Sequence, residues 1–259
     1  MRNSYSVGMF SLIIGGALLI LSANAAADEV VAHTRLFQIK LGASRLIYLP
    51  GINDIALAVN NPQDYPVLIQ GKAWQEDKKT PAPFIVTPPV SRLEGHQQSR
   101  LRVIKAGEFA QDRETLSWLC VAGIPPKNTD VWAQDERERA PSSAVIMNLE
   151  VSARQCIKLL VRPPSLSITS REAAGNLAWY KDGKTLVAQN SSPLYVQLAS
   201  VSIGGLAVPE VTYIPPYSSR TFPVSKEAKG PIKWVVITDE GGRSRAYQSL
   251  PELAARPKG

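Results

Sequence analysis

The chain has 259 residues, 20 of them proline, a formal net charge of +7, and only two histidines and two cysteines. Proline spread along the chain disfavours long helices and suits strands joined by turns. The basic balance suits a partner with carboxylates or an anionic surface, and because the chain reads as exported no nucleic-acid partner is expected.

The first element is a leader. Arg2 precedes an apolar run from Val7 to Leu21, closed by the small residues Ser22-Ala23-Asn24-Ala25-Ala26-Ala27. A basic start, a short apolar stretch and an A-x-A site describe a signal peptide over residues 1–25, with cleavage after Ala25 or Ala27. The alternative is a membrane anchor, for which the run is short against the roughly 20 apolar residues a spanning helix needs. The chain beyond the leader is long enough for one large or two ordinary domains.

Near the expected mature start, Phe37, Ile39 and Leu41 alternate with Gln38 and Lys40. They form either an edge strand of a binding surface or a strand packed on its own domain. Short apolar segments then recur between turn residues: 45–49, 55–59, 67–70, 84–86, 99–104 and 116–121, then 145–151, 157–161, 177–180, 186–188, 194–198 and 234–238. This regular spacing predicts an all-β chain of sandwiches. Residues 123–143, with Pro125-Pro126 and the charged run 135–139, read as a long polar loop between two strands. In 145–154 the apolar residues Val145, Met147, Leu149, Val151 and Ala153 alternate with polar Asn148, Glu150, Ser152 and Arg154. That period of two is a strand. It either covers its own core or offers its apolar row to another chain by strand addition. Arg162-Pro163-Pro164 ends the next strand and marks either a domain boundary or a turn within one domain. A short helix over 170–176 is compatible with the sequence.

Cys120 and Cys156 form either a disulfide, the usual state of a pair in an oxidising compartment, or two buried thiols. His33 and His96 lie far from both, without ligand spacing, so no metal site is expected. Neither G-x-S-x-G, H-E-x-x-H nor a P-loop occurs, and both histidines read as surface residues. No catalytic residue and no cofactor is expected. Gly204-Gly205 and Gly241-Gly242 are turns, not a phosphate cradle.

Several stretches taken together carry a family resemblance. They include 42–48 (GASRLIY), 61–70 (NPQDYPVLIQ), 84–89 (FIVTPP), 112–114 (DRE), 118–126 (WLCVAGIPP), 156–163 (CIKLLVRP), 213–216 (YIPP) and 238–242 (TDEGG). The chain resembles the PapD-like periplasmic chaperones of the chaperone–usher pathway, within the class that has a long loop between strands F and G. Residues 190–195 (NSSPLY) depart from that pattern at a structural turn. The resemblance implies two immunoglobulin-like β-sandwich domains, over 26–162 and 163–259. It implies Arg45 and Lys158 as a cationic pair for the C-terminal carboxylate of a bound subunit, and Val145, Met147, Leu149 and Val151 as the donated strand. Phe37, Ile39 and Leu41 become a second subunit-binding strand, and Cys120 pairs with Cys156. The implied partners are a pilin-type fimbrial or adhesin subunit and an outer-membrane usher, with no small-molecule substrate. When free, the protein would be able to cap itself as an oligomer. Two rivals stand beside this reading. An exported enzyme lacks a catalytic constellation, and a β-rich adhesin or sugar-binding module would present exposed aromatics.

Overall fold

A computed structural model describes residues 30–49, 51–125 and 145–253. The expected leader with its cleavage points, and most of the expected loop 123–143, lie outside those residues. The chain opens with β1 (Val30–Phe37), β2 (Lys40–Leu41), β3 (Arg45–Tyr48) and β4 (Asp54–Asn60). Then come β5 (Val67–Gln75), β6 (Phe84–Thr87), β7 (Val90–Leu93) and β8 (Gln98–Lys105). The central pair is next, β9 (Thr115–Ile124) and, after the loop, β10 (Val145–Ser152) continuing into β11 (Arg154–Val161).

One sheet runs β3-β11-β9-β5-β7 and faces a second, β2-β4-β8-β6, across a core that includes Leu46, Tyr48, Leu101, Val103, Leu119 and Leu159. Residue parity explains the layering. In β8, Leu101 and Val103 point inward while Arg100 and Arg102 alternate outward. β9 sits mid-sheet and is covered on both sides over most of its length, which is why its sequence is a nearly continuous apolar run.

The N-terminal row corrects one expectation. Phe37 and Ile39 are 1% and 0% exposed in the chain's own core, and Leu41 packs against that core. Alternation along β1 turns Leu36 outward and Phe37 inward, where its ring meets Tyr65 edge-on. The chain then crosses to the other sheet, and Leu41 lies opposite Val59. Gly123 permits this approach, since a Cβ there would fall 2.3 Å from the Phe37 carbonyl oxygen.

The second sandwich starts with α1 (Ser170–Gly175), the expected short helix. Thr169 caps it, with Glu172 returning a bond to the cap backbone. Its strands are β12 (Ala178–Asp182), β13 (Thr185–Asn190), β14 (Val196–Ile203), β15 (Leu206–Ala207) and β16 (Tyr213–Ile214). β17 (Ser218–Pro223), β18 (Ile232–Val236), β19 (Tyr247–Ser249) and β20 (Glu252–Leu253) complete it. Sheets β17-β13-β12-β20 and β15-β14-β18-β19 enclose a separate core around Trp179, Leu186, Ile214 and Trp234. The strands thus resolve into two sandwiches of the immunoglobulin type.

Arg162, the residue after β11, ties the two together. Its guanidinium bonds Glu114 at 2.8 Å and Asp239 of the second sandwich at 2.8 Å, and the 2% exposed Glu114 also accepts from the Tyr195 backbone N–H at 2.9 Å. Cys120 and Cys156 face each other across β9 and β11 and are bonded. The link closes a sequence separation of 36, so its loss is expected to cost about 3–5 kcal/mol in the chain-entropy model. Urea unfolding of the Cys120→Ser/Cys156→Ser variant tests this, and an unchanged midpoint would contradict it.

Candidate functional site

Two cations meet across one strand pair. β3 and β11 run parallel with Arg45 opposite Lys158. The antiparallel registers then add Trp118 of β9 opposite Lys158, and Trp74 of β5 opposite Trp118. Cross-strand partners share a face and adjacent strands lie about 4.8 Å apart. Arg45, Lys158, Trp118 and Trp74 therefore form one row on the face opposite the core.

That row looks at the second sandwich. Arg45 Nη1 donates to the Ile237 carbonyl at 3.4 Å, and Lys158 Nζ donates to Gln197 Oε1. The ammonium also lies 4.9 Å from the Tyr213 ring centroid and 5.4 Å from that of Trp118. Burial, followed by the charges of Arg45 and Lys78, pushes Lys158 down to about 8. Burial likewise lowers Arg45, against the opposing pull of Asp239 and Glu114. Arg45 Nε is buried with no partner among the described residues. Two half-buried cations with spare donors, at the cleft between the two sandwiches, suit a ligand with a negative charge and several lone pairs. A carboxylate meets that description.

The alternating stretch forms a different surface. Beyond β11 the strand kinks at Ala153, whose N–H donates to the Phe37 carbonyl while its own carbonyl accepts from Gly123. β10 then leaves the sheet and pairs in parallel with β1. Among the described residues this ribbon has two strands only; β10 retains a free edge, whereas the Tyr65 hydroxyl accepts from the Leu36 N–H at 3.1 Å and donates to the Leu36 carbonyl at 3.0 Å. Met147, Leu149 and Val151 are 59%, 52% and 39% exposed. They are not packed on the chain's own core, which removes that alternative for these three; the side chain of Val145 lies outside the description. The register sets Thr34 beside Leu149 and the exposed Leu36 beside Val151. The outward N-terminal row therefore has the parity of Leu36, one residue off the expected set. At the foot of the ribbon the Cys120–Cys156 disulfide fixes β11 to β9.

The ribbon leads straight into the cation pair. Roughly 30 Å of extended chain separates Leu149 from Lys158, at about 3.3 Å per residue. A strand lying along β10 with its terminal carboxylate at Arg45 and Lys158 must run parallel to β10. The family resemblance singles out both cations and the alternating sequence the row, but neither singles out the Arg162–Glu114–Asp239 clamp, Gln197, Tyr213 or Lys78. In sequence Arg162 marks only a boundary, and Asp239 only a place inside a family stretch.

Comparison with known proteins gives consistent matches. Residues 38–167 match the family model of the pili and flagellar-assembly chaperone PapD N-terminal domain, and residues 172–248 that of the pili assembly chaperone PapD C-terminal domain. Chaperone protein AggD of Escherichia coli is 40% identical over 223 residues, covering 86% of this chain and 88% of the relative. Chaperone protein caf1M of Yersinia pestis is 39% identical over 243 residues, covering 91% and 94%. Among solved structures, the E. coli chaperone DraB superposes with a TM-score of 0.75 at 40% identity, covering 86% of this chain and all of that one. The SafB chaperone, solved in complex with the Salmonella enterica SafA pilin, gives 0.74 at 40% identity, covering 85% and 99%.

Proposed function

The chain belongs to the PapD-like chaperones of pilus assembly, and we propose that it holds a pilin-type subunit by strand addition along β10 with the subunit's C-terminal carboxylate seated between Arg45 and Lys158. It is a chaperone and not an enzyme. The family acts in the periplasm, and among the described residues no helix is long and apolar enough to cross a membrane. We place this chain there after removal of residues 1–25, with the domain boundary at Arg162.

The observation that carries the reading is an exposed apolar row, on a strand with an unpaired edge, running into two cations that no carboxylate among the described residues bridges. A subunit that lacks a strand exposes a core groove and an open edge, and such a species aggregates. β10 supplies backbone bonds to that edge, while Met147, Leu149 and Val151 enter the groove. The parallel ribbon sets β1 beside β10, with Leu36 on the same face as Val151. The cation pair fixes the register, because a carboxylate can sit at only one end. Transfer to the usher then requires only a competing strand that packs better; no nucleotide enters. Coexpression with candidate subunits should recover a one-to-one complex from the periplasm, whereas recovery of the chaperone alone with every subunit of its assembly locus would count against the proposal.

The cleft also predicts a pH dependence. Lys158 titrates near 8 in the free protein, and a bound carboxylate stabilises its ammonium, so binding above pH 8 must take up a proton. Affinity for a peptide with a free C-terminal carboxylate is expected to be level below about pH 7.5 and to fall above 8, by at most about tenfold per pH unit. Calorimetry in buffers of different ionisation heat reads the uptake. Constant affinity from neutrality to about pH 9.5 would show that no ammonium depressed to about 8 faces the ligand.

A further inference from the structure

We propose that the turn between β5 and β6 is a third wall of the anion cleft, in which Lys78 adds a cation for the chain-terminal carboxylate and Glu76 positions the turn by binding the second sandwich. The inference rests on the carboxylate-anchor reading above and extends it to residues outside the Arg45–Lys158 pair.

The turn is built from local chemistry. Lys78 N–H donates to the Gln75 carbonyl at 2.9 Å, and Asp77 Oδ1 accepts from the Lys79 and Thr80 N–H groups at 2.8 and 2.9 Å. With Thr80 Oγ1 on its other oxygen, Asp77 is occupied within the turn. Lys78 adopts the left-handed conformation, φ 58°, that such a turn demands. The result projects Lys78 Nζ over the Trp118 ring, 3.9 Å from its centroid. Lys158 Nζ approaches the same ring at 5.4 Å, and the charge of Lys78 contributes to the lowered pKa of Lys158. Trp118 thus carries a cation from the turn and one from the sheet, and the second is half of the anchor.

Glu76 reaches the other way. One carboxylate oxygen accepts from Tyr195 Oη at 3.1 Å and the other from Tyr213 Oη at 2.9 Å, so the turn grips two residues of the second sandwich at once. The two rings pack at 5.7 Å. Tyr213 in turn faces Lys158, with Arg220 also over its ring at 5.0 Å. Lys78, Trp118, Lys158, Tyr213 and Glu76 therefore close a circuit across the mouth of the cleft, which meets the Arg162 clamp at Tyr195, whose N–H donates to Glu114. A negatively charged ligand relieves the repulsion between Lys78 and Lys158.

The circuit makes a prediction whose sign is diagnostic. As a bare charge, Glu76 disfavours an anion nearby, so its removal would tighten binding. As a positioning residue it holds Lys78 and the cleft wall in place, so its removal weakens binding. The probe is a synthetic alternating apolar–polar peptide, prepared with a free C-terminal carboxylate and with a C-terminal amide, titrated into the full chaperone at low salt. Lys78→Gln should weaken the free-acid peptide about three- to tenfold, leave the amide unchanged, and lose its effect at high salt. Glu76→Ala and Tyr195→Phe/Tyr213→Phe should each weaken the free acid, and adding Lys78→Gln to Glu76→Ala should cost nothing further. Tighter binding by Glu76→Ala, or equal effects of Lys78→Gln on both peptides, overturns the inference. Arg45→Ala separates the two levels. If it preserves the preference for the free acid, the anchor reading itself fails; if it abolishes the preference while Lys78→Gln changes nothing, only the third cation does.

Discussion

Arg45→Ala or Lys158→Ala is expected to abolish protection of a bound subunit while leaving the chaperone folded. Both side chains lie on the face of the sheet opposite the core, and neither belongs to the apolar cluster beneath. In the free protein they are a cost rather than a support. Burial disfavours each cation, and Lys158 is lowered from 10.5 to about 8. A lysine whose folded pKa is depressed binds fewer protons folded than unfolded between those two values, so stability rises with pH there, and the charged form opposes folding below it. Replacing Lys158 by alanine removes that opposition, and the variant should melt no lower than the parent at neutral pH. In the complex the sign reverses. Leaving one buried charge without its partner costs about 3–5 kcal/mol, enough to turn tight binding into none at working concentrations. Protease protection of the coexpressed subunit reads the first effect and thermal melting the second. A variant that still protects at the parent level would show that the carboxylate sits elsewhere.

The part of this molecule that a sequence reveals is the part held in local alternation. Residues 145–153 show their period without help, and the structure places 145–152 in a strand. The short helix is only compatible with the sequence over 170–176, and it is the structure that shows Thr169 and Glu172 capping it. Alternation says that one face is apolar but not what covers it. For Met147 and Leu149 the described chain leaves the face open; for Phe37 and Ile39 its own core closes it. The adjacent pair Leu36-Phe37 puts an apolar residue on both faces of β1. Which of them points outward is decided by Gly123 and Tyr65, residues remote in sequence that shape the seat of Phe37. Contacts between the sandwiches are less legible still. Arg162 reaches Glu114 and Asp239 across separations of 48 and 77 residues, and Glu76 reaches Tyr213 across 137. A turn rich in Asp and Lys gives no sign that it spans a cleft, since the same composition serves any exposed hairpin. The cation pair is legible only through resemblance: a single Arg opening a strand and a single Lys inside another have no periodic signature.

Leu149→Asp is expected to be as damaging as loss of a cation, by a different route. Leu149 is mid-row, flanked by Met147 and Val151, and 52% exposed in the free protein. Its substitution therefore opens no cavity in the chaperone's own core, and the circular dichroism and melting of the purified variant should match the parent. In the complex the leucine would pass from water into the subunit's groove. Aspartate forfeits about 1.5–3 kcal/mol of side-chain burial, and it must also be desolvated without a partner or bind a proton to enter. Glu150 has the opposite parity and is exposed as well. Glu150→Ala should change subunit recovery little, within about 0.5 kcal/mol for a plain surface site. The pair tests register as much as role, because a slip of one residue along the subunit edge exchanges the two outcomes. The carboxylate anchor is what forbids that slip. With the subunit's last residue fixed at Lys158, the parallel strand has one alignment along β10, and Leu149 rather than Glu150 faces the groove. Combining Leu149→Asp with Lys158→Ala should restore nothing, since both losses fall on the same bound state. Restored recovery in the double variant would mean that the subunit can realign, and that the cleft does not set its register.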